Sequence, residues 1–192
     1  MKRVVPLLTV VLIAAWCVVV VLSWLLSAMM VSGVRSVLTG EGIRWFFAHF
    51  TDALSTPVLA WMLIAAIAFG CLRGSRLLSA DGGYRRKRAL RVALLLLAFY
   101  ATGVALLIVP PHAVLLSATG TLADSPFSRA LVPLLCFGVV LLSVAYGLLA
   151  RTFSSFSAIV ETMAGGIRTV APLLFLYVLA AQLVHTLAYV FL

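Results

Sequence analysis

Residues 4–31 read VVPLLTVVLIAAWCVVVVLSWLLSAMMV, and nothing in the stretch is more polar than Ser, Thr and Pro6. At 1.5 Å per residue a helix of this length reaches roughly 42 Å, more than the roughly 30 Å hydrocarbon core of a bilayer. The run therefore reads as a membrane span that tilts or extends into the headgroups. Lys2 and Arg3 ahead of it imitate the start of a secretory signal. The apolar region of a signal is only about 7–15 residues long, so an uncleaved first helix is expected. Bulky Trp16 before Cys17 speaks against lipoprotein processing at that cysteine.

The rest of the chain follows the same pattern. Of 192 residues, 65% are hydrophobic and only 10% charged, where a soluble domain carries roughly a quarter charged residues. Soluble enzymes, disordered chains and disulfide scaffolds are excluded. The composition reads as an all-α integral membrane protein, a single membrane domain over 1–192 with about five transmembrane helices and two interfacial amphipathic helices. The spans are expected at about 4–31, 56–72, 90–109, 129–150 and 169–192. Pro57 opens the second in a tolerated first-turn position, Pro110 and Pro111 stop the third, and Asp124-Ser125-Pro126 reads as cap and turn before the fourth.

The interfacial helices are expected at about 42–54 and 154–164. In the first, Ile43, Phe47, Phe50 and Leu54 recur at helical spacing, with Arg44, Thr51 and Asp52 elsewhere on the wheel. Trp45 suits the headgroup level. In the second, Phe156, Ile159, Val160 and Met163 accompany Glu161, and Gly165-Gly166 is expected to end the helix.

Fourteen Lys and Arg stand against five Asp and Glu, a net charge of +9. With five spans, Lys2, Arg3, Arg73, Arg76, Arg85, Arg86, Lys87, Arg88, Arg91, Arg151 and Arg168 fall on one face, which leaves only Arg35, Arg44 and Arg129 for the other. By the positive-inside rule the N-terminus is expected in the cytoplasm and the C-terminus outside. Arg85-Arg86-Lys87-Arg88 serves this topology and suits anionic lipid headgroups. The run lacks interleaved aromatics and adjoins two spans, which argues against nucleic acid as a partner.

Little chemistry is available inside the expected spans. Glu41, Asp52, Asp81, Asp124 and Glu161 all fall in loops or interfacial helices, whereas ion-coupled carriers place ionisable groups within the bundle. His49, His112 and His185 are scattered, with no metal-ligand spacing. Gln182 and His185 form one polar pair at i, i+3 inside a span, suited to an interhelical hydrogen bond or a substrate contact. Cys17, Cys71 and Cys136 read as small apolar residues. No serine has a positioned base and no Gly-rich phosphate loop follows a strand, so no enzyme, metal site or cofactor is expected. Gly70 and Gly74 make one G-x-x-x-G beside Arg73, a weak signal for a dimer face.

The order of landmarks resembles the AbgT (p-aminobenzoyl-glutamate) transporter family. Gly42-Ile43-Arg44-Trp45 opens the surface helix, and Pro57 and a span closing on Gly70 follow. The later landmarks are closer: Ser125-Pro126-Phe127, Leu131-Val132-Pro133-Leu134, Tyr146-Gly147 and Ala180-Ala181-Gln182. Together they cover roughly residues 42–182. The resemblance implies transport of aromatic or amphipathic anions in a bacterial inner membrane, through inverted repeats with re-entrant hairpins. Two departures stand beside it. Between Leu78 and Arg85 only a short turn with Asp81-Gly82-Gly83 occupies the place of the first hairpin, and after Gln182 the chain reads His185-Thr186-Leu187-Ala188-Tyr189 where the family has an Asn-Trp-containing stretch and then its second hairpin, so both re-entrant hairpins are expected to be lacking. No substrate-site residue of the family carries over. The sequence is therefore expected to be a scaffold or oligomerisation subunit in a homo-oligomer or membrane complex. The alternative is a reduced carrier that completes its site by dimerisation, with Gln182 and His185 facing the pathway.

Overall fold

The computed structural model of the chain describes residues 4–31, 33–78, 83–108 and 126–191. Its elements are α1 (Val4–Ala28), α2 (Gly40–Ala48), α3 (Pro57–Ser75), α4 (Tyr84–Leu106), α5 (Pro126–Leu149) and α6 (Phe156–Phe191). All six are helices, and five of them, α2 excepted, are long and apolar enough to cross a membrane. Lipid offers the backbone no hydrogen bonds, so apolar runs of this length close their own as helices. By contact the chain divides into two compact units, Met1–Ala60 with Val170–Leu192, and Trp61–Thr169.

In the first unit, α1 ends three residues before the apolar run does, at a turn where Met30 takes a left-handed φ of 56°. The loop that follows is tied down through its backbone. Arg35 N–H donates to the Val190 carbonyl at 3.1 Å, and Val37 N–H donates to Ser23 Oγ at 3.3 Å. Thr39 caps α2 by accepting Gly42 N–H at 3.2 Å, which starts the helix two residues earlier than the amphipathic pattern does. A Cβ on Gly42 would stand 2.7 Å from Val37 Cα, so only glycine lets α2 meet this loop. α2 stops at Ala48 rather than Leu54, because the backbone goes over to the local turns of residues 49–55. Val37, Tyr189 and Val190 form the buried core, with Val19, Val34 and Trp45 against it.

In the second unit, α4 packs along α5 through Ala89, Ala93 and Tyr146, with Leu77, Leu142, Ala145 and Ala150 around them. The Tyr100 hydroxyl donates to the Leu134 carbonyl at 3.1 Å, beside Pro133 inside α5. Helix α4 begins at Tyr84, six residues before the expected span, because Arg85 to Arg88 are good helix formers and continue the apolar helix outward. At the end of α5, Arg151 adopts φ 57° and the Phe153 ring folds back over Gly147.

The largest departure from the sequence reading is α6. Gly165-Gly166 does not end a helix, and one helix of 36 residues replaces the expected interfacial helix and final span. The reason is packing. Gly166 is buried, and a Cβ there would stand 2.8 Å from both the Cα and N of Gly70. Small residues let two helix backbones approach this closely, and the continuous helix keeps both glycines' backbone groups bonded. The same contact uses Gly70 and Gly74, so this G-x-x-x-G faces Thr162 and Gly166 of its own chain rather than a second copy. Pro110, Pro111, Asp124 and Ser125, assigned as stop and cap signals, lie outside the described residues, as do Lys2, Arg3, Asp81 and His112.

Candidate functional site

The polar residues singled out within the last span, Gln182 and His185, lie in the first unit and are brought together with α1 and α2. Gln182 is buried, and its Nε2 donates to the Phe50 carbonyl at 2.9 Å. One turn on, buried Thr186 donates to the Gln182 carbonyl at 2.7 Å and accepts from Trp16 Nε1 at 3.2 Å. Trp16, Thr186, Gln182 and Phe50 thus form a chain of hydrogen bonds from α1 to the residues after α2. In an apolar surrounding such a chain holds its helices in place, because each broken link strands a buried polar group.

His185 sits on the neighbouring face. Its ring is half-buried and stacks on Trp45, with centroids 4.9 Å apart and an interplanar angle of 18°. Trp45 also stacks on Tyr189 at 4.1 Å and on His49 at 5.1 Å. His49 Nδ1 is 3.0 Å from the Trp45 carbonyl. The Nε2 of His185 is buried and has no hydrogen-bond partner among the described residues. Trp45, which in the sequence suits the headgroup level, is the centre of this stack, while Phe47 is 74% exposed.

Beside the chain of hydrogen bonds lies a cavity of about 200 Å³, lined by Leu12, Ile13, Trp16, Phe46, Phe50 and Gln182 among others. Gln182 is its main polar contribution, so the lining suits an apolar or aromatic group better than an ion. No group of His, Cys, Asp and Glu among the described residues is arranged to hold a metal. Cys71 is fully buried, Cys17 exposed, and all three cysteines are free. Arg85, Arg86, Lys87 and Arg88 lie in the second unit, on the first turns of α4.

Three participants escaped the sequence reading: Trp16, Thr186 and the Trp45–Tyr189 stack. The signal was present as spacing. Gln182, Thr186 and Tyr189 recur at i, i+4 and i+7, one helix face, and Trp45 and His49 are four apart. Which face each met was not readable from spacing.

Among the described residues, all-helical architecture with five helices fit to cross a membrane defines a multi-pass membrane protein, and comparison with known proteins makes the class specific. The model of the AbgT putative transporter family matches residues 77–191, so the chain belongs to that family. The later landmarks fall inside this range and the match runs on past Gln182, whereas Gly42 to Trp45, Pro57 and Gly70 precede it. The crystal structure of the YdaH transporter from Alcanivorax borkumensis superposes with a TM-score of 0.80 at 15% identity, covering 95% of this chain and 70% of that one. At that identity the likeness shows the fold. No curated protein matches the chain.

Proposed function

We propose that the chain is a scaffold or oligomerisation subunit of AbgT type, without a complete substrate site of its own. The observation that carries this is the use already made of its intramembrane polar groups. The Gln182 amide is spent on the Phe50 carbonyl, and the Thr186 hydroxyl joins the Gln182 carbonyl to Trp16. The acids among the described residues support it: Glu41 is in the first turn of α2, Asp52 in a turn, and Glu161 in the second turn of α6. A carrier of anions or coupled ions needs polar groups free to exchange partners at depth.

A second reading rests on one atom. The buried, unpartnered Nε2 of His185 favours a reduced carrier of aromatic anions such as p-aminobenzoyl-glutamate, completed by a second copy. In either reading the protein sits in a bacterial inner membrane with its N-terminus cytoplasmic and C-terminus external, supported by the gathering of Arg and Lys on one face. It is not an enzyme.

Reconstitution into vesicles with p-aminobenzoyl-glutamate separates the two. The scaffold reading expects no flux from the chain alone and a homo-oligomer or a stoichiometric membrane partner in mild detergent. Flux that disappears in His185→Ala or Gln182→Ala would overturn it in favour of the carrier.

A further inference from the structure

We infer that the groove between the start of α4 and the end of α5 is a site for one anionic phospholipid, its phosphate held by Arg85 and Arg88 and an acyl chain laid over Val92 and Leu149. The groove encloses about 310 Å³ and is lined by Arg85, Arg88, Ala89, Val92 and Leu149. Arg85 and Arg88 are three apart on a helix and so share a side. Both side chains are exposed, and neither has an ion-pair or hydrogen-bond partner among the described residues.

Depth and chemistry match a lipid. Val92 lies one turn past Arg88, roughly 6 Å along the axis, so the charged rim passes directly into an apolar wall. Ala89 and Ala93 are buried against Tyr146 and bring α4 close to α5. Beside this seam stand the longer side chains of Val92 and Leu149. Guanidinium groups grip phosphate oxygens in pairs. No carboxylate among the described residues lines the groove, so the ammonium of a zwitterionic headgroup meets no partner among them. The first turn of α4 carries no acid and its cap residue Gly83 offers no side-chain bond, so the positive end of the helix dipole adds to the attraction. Inorganic phosphate has nothing to place on Val92 and Leu149, which favours a lipid as the source of the phosphate.

The test is native mass spectrometry of the full chain with phosphatidylglycerol, phosphatidylcholine or inorganic phosphate as probe. One phosphatidylglycerol is expected to be retained in preference to phosphatidylcholine, and millimolar phosphate is expected not to displace it. Arg85→Gln with Arg88→Gln should weaken retention roughly tenfold or more. Val92→Trp, which fills the groove without changing charge, should weaken it comparably. Arg91→Gln removes a charge from the same helix but outside the groove and should have little effect. Equal loss in Arg91→Gln would show diffuse attraction to a basic surface and overturn the site. So would full retention in Val92→Trp, or displacement by phosphate, which would make it a free-anion site.

Discussion

Gly166 of α6 lies so near Gly70 of α3 that a methyl group on Gly166 would stand 2.8 Å from the Gly70 Cα. Its sequence neighbour Gly165 has nothing within 4 Å of the same position. Two glycines that read alike in the sequence therefore have opposite roles.

Gly166→Ala should destabilise the protein by about 1–3 kcal/mol, since the atoms in the way are backbone and cannot rotate aside. Gly165→Ala should be neutral or stabilising by up to about 1 kcal/mol, the ordinary gain from replacing glycine within a helix. Thermal unfolding in detergent, read by circular dichroism, compares the two directly.

Trp45 and Phe47 give a second paired prediction. Trp45 makes three ring stacks, whereas Phe47 is 74% exposed. Trp45→Ala should cost about 3 kcal/mol through lost packing, and Phe47→Ala less than about 0.5 kcal/mol, as for surface changes generally. Denaturant titration would show the difference, and the near-ultraviolet circular dichroism signal should fall more in the first variant than in the second.

Ser23 is 1% exposed and accepts the Val37 N–H. Ser23→Ala leaves that N–H buried without an acceptor, at a cost of about 1–3 kcal/mol. Thr9→Ala, whose hydroxyl serves only the Val5 carbonyl of its own helix, should change stability far less. Hydrogen exchange at the Val37 amide should accelerate in the first variant alone.

Arg151 holds a left-handed φ of 57° just past the end of α5. An L side chain strains this conformation by about 1 kcal/mol and glycine does not. Arg151→Gly should therefore raise the unfolding midpoint measured in detergent, and an unchanged or lower midpoint would show that the left-handed turn is not a source of strain. The same substitution at Arg76, φ 53°, provides an independent measurement.

How much of the fold was legible follows from what each signal measures. Long apolar runs mark helices in lipid because the backbone has no other way to bond, so the all-helical class and the approximate places of the apolar runs could be read, although α6 was expected as two separate helices. Their ends could not. Thr39 as a cap, the helical Arg85 to Arg88 and the turn at Met30 depend on local competition that hydropathy does not register. For the candidate site, Gln182 and His185 stood out as polar residues in an apolar run, but their partners Phe50 and Trp45 lie over a hundred positions away.

Membrane residence, helical class and family could be determined from sequence alone, because each rests on composition, on periodicity within a helix or on the order of landmarks along the chain. Tertiary structure decided the rest: that Gly165-Gly166 continues a helix, that G-x-x-x-G is filled from within, that Trp45 is a packing centre, and that two arginines open onto an apolar groove. A glycine that breaks a helix and a glycine that admits a neighbouring backbone are the same residue. Only the neighbour distinguishes them, and in this chain it lies about a hundred residues away.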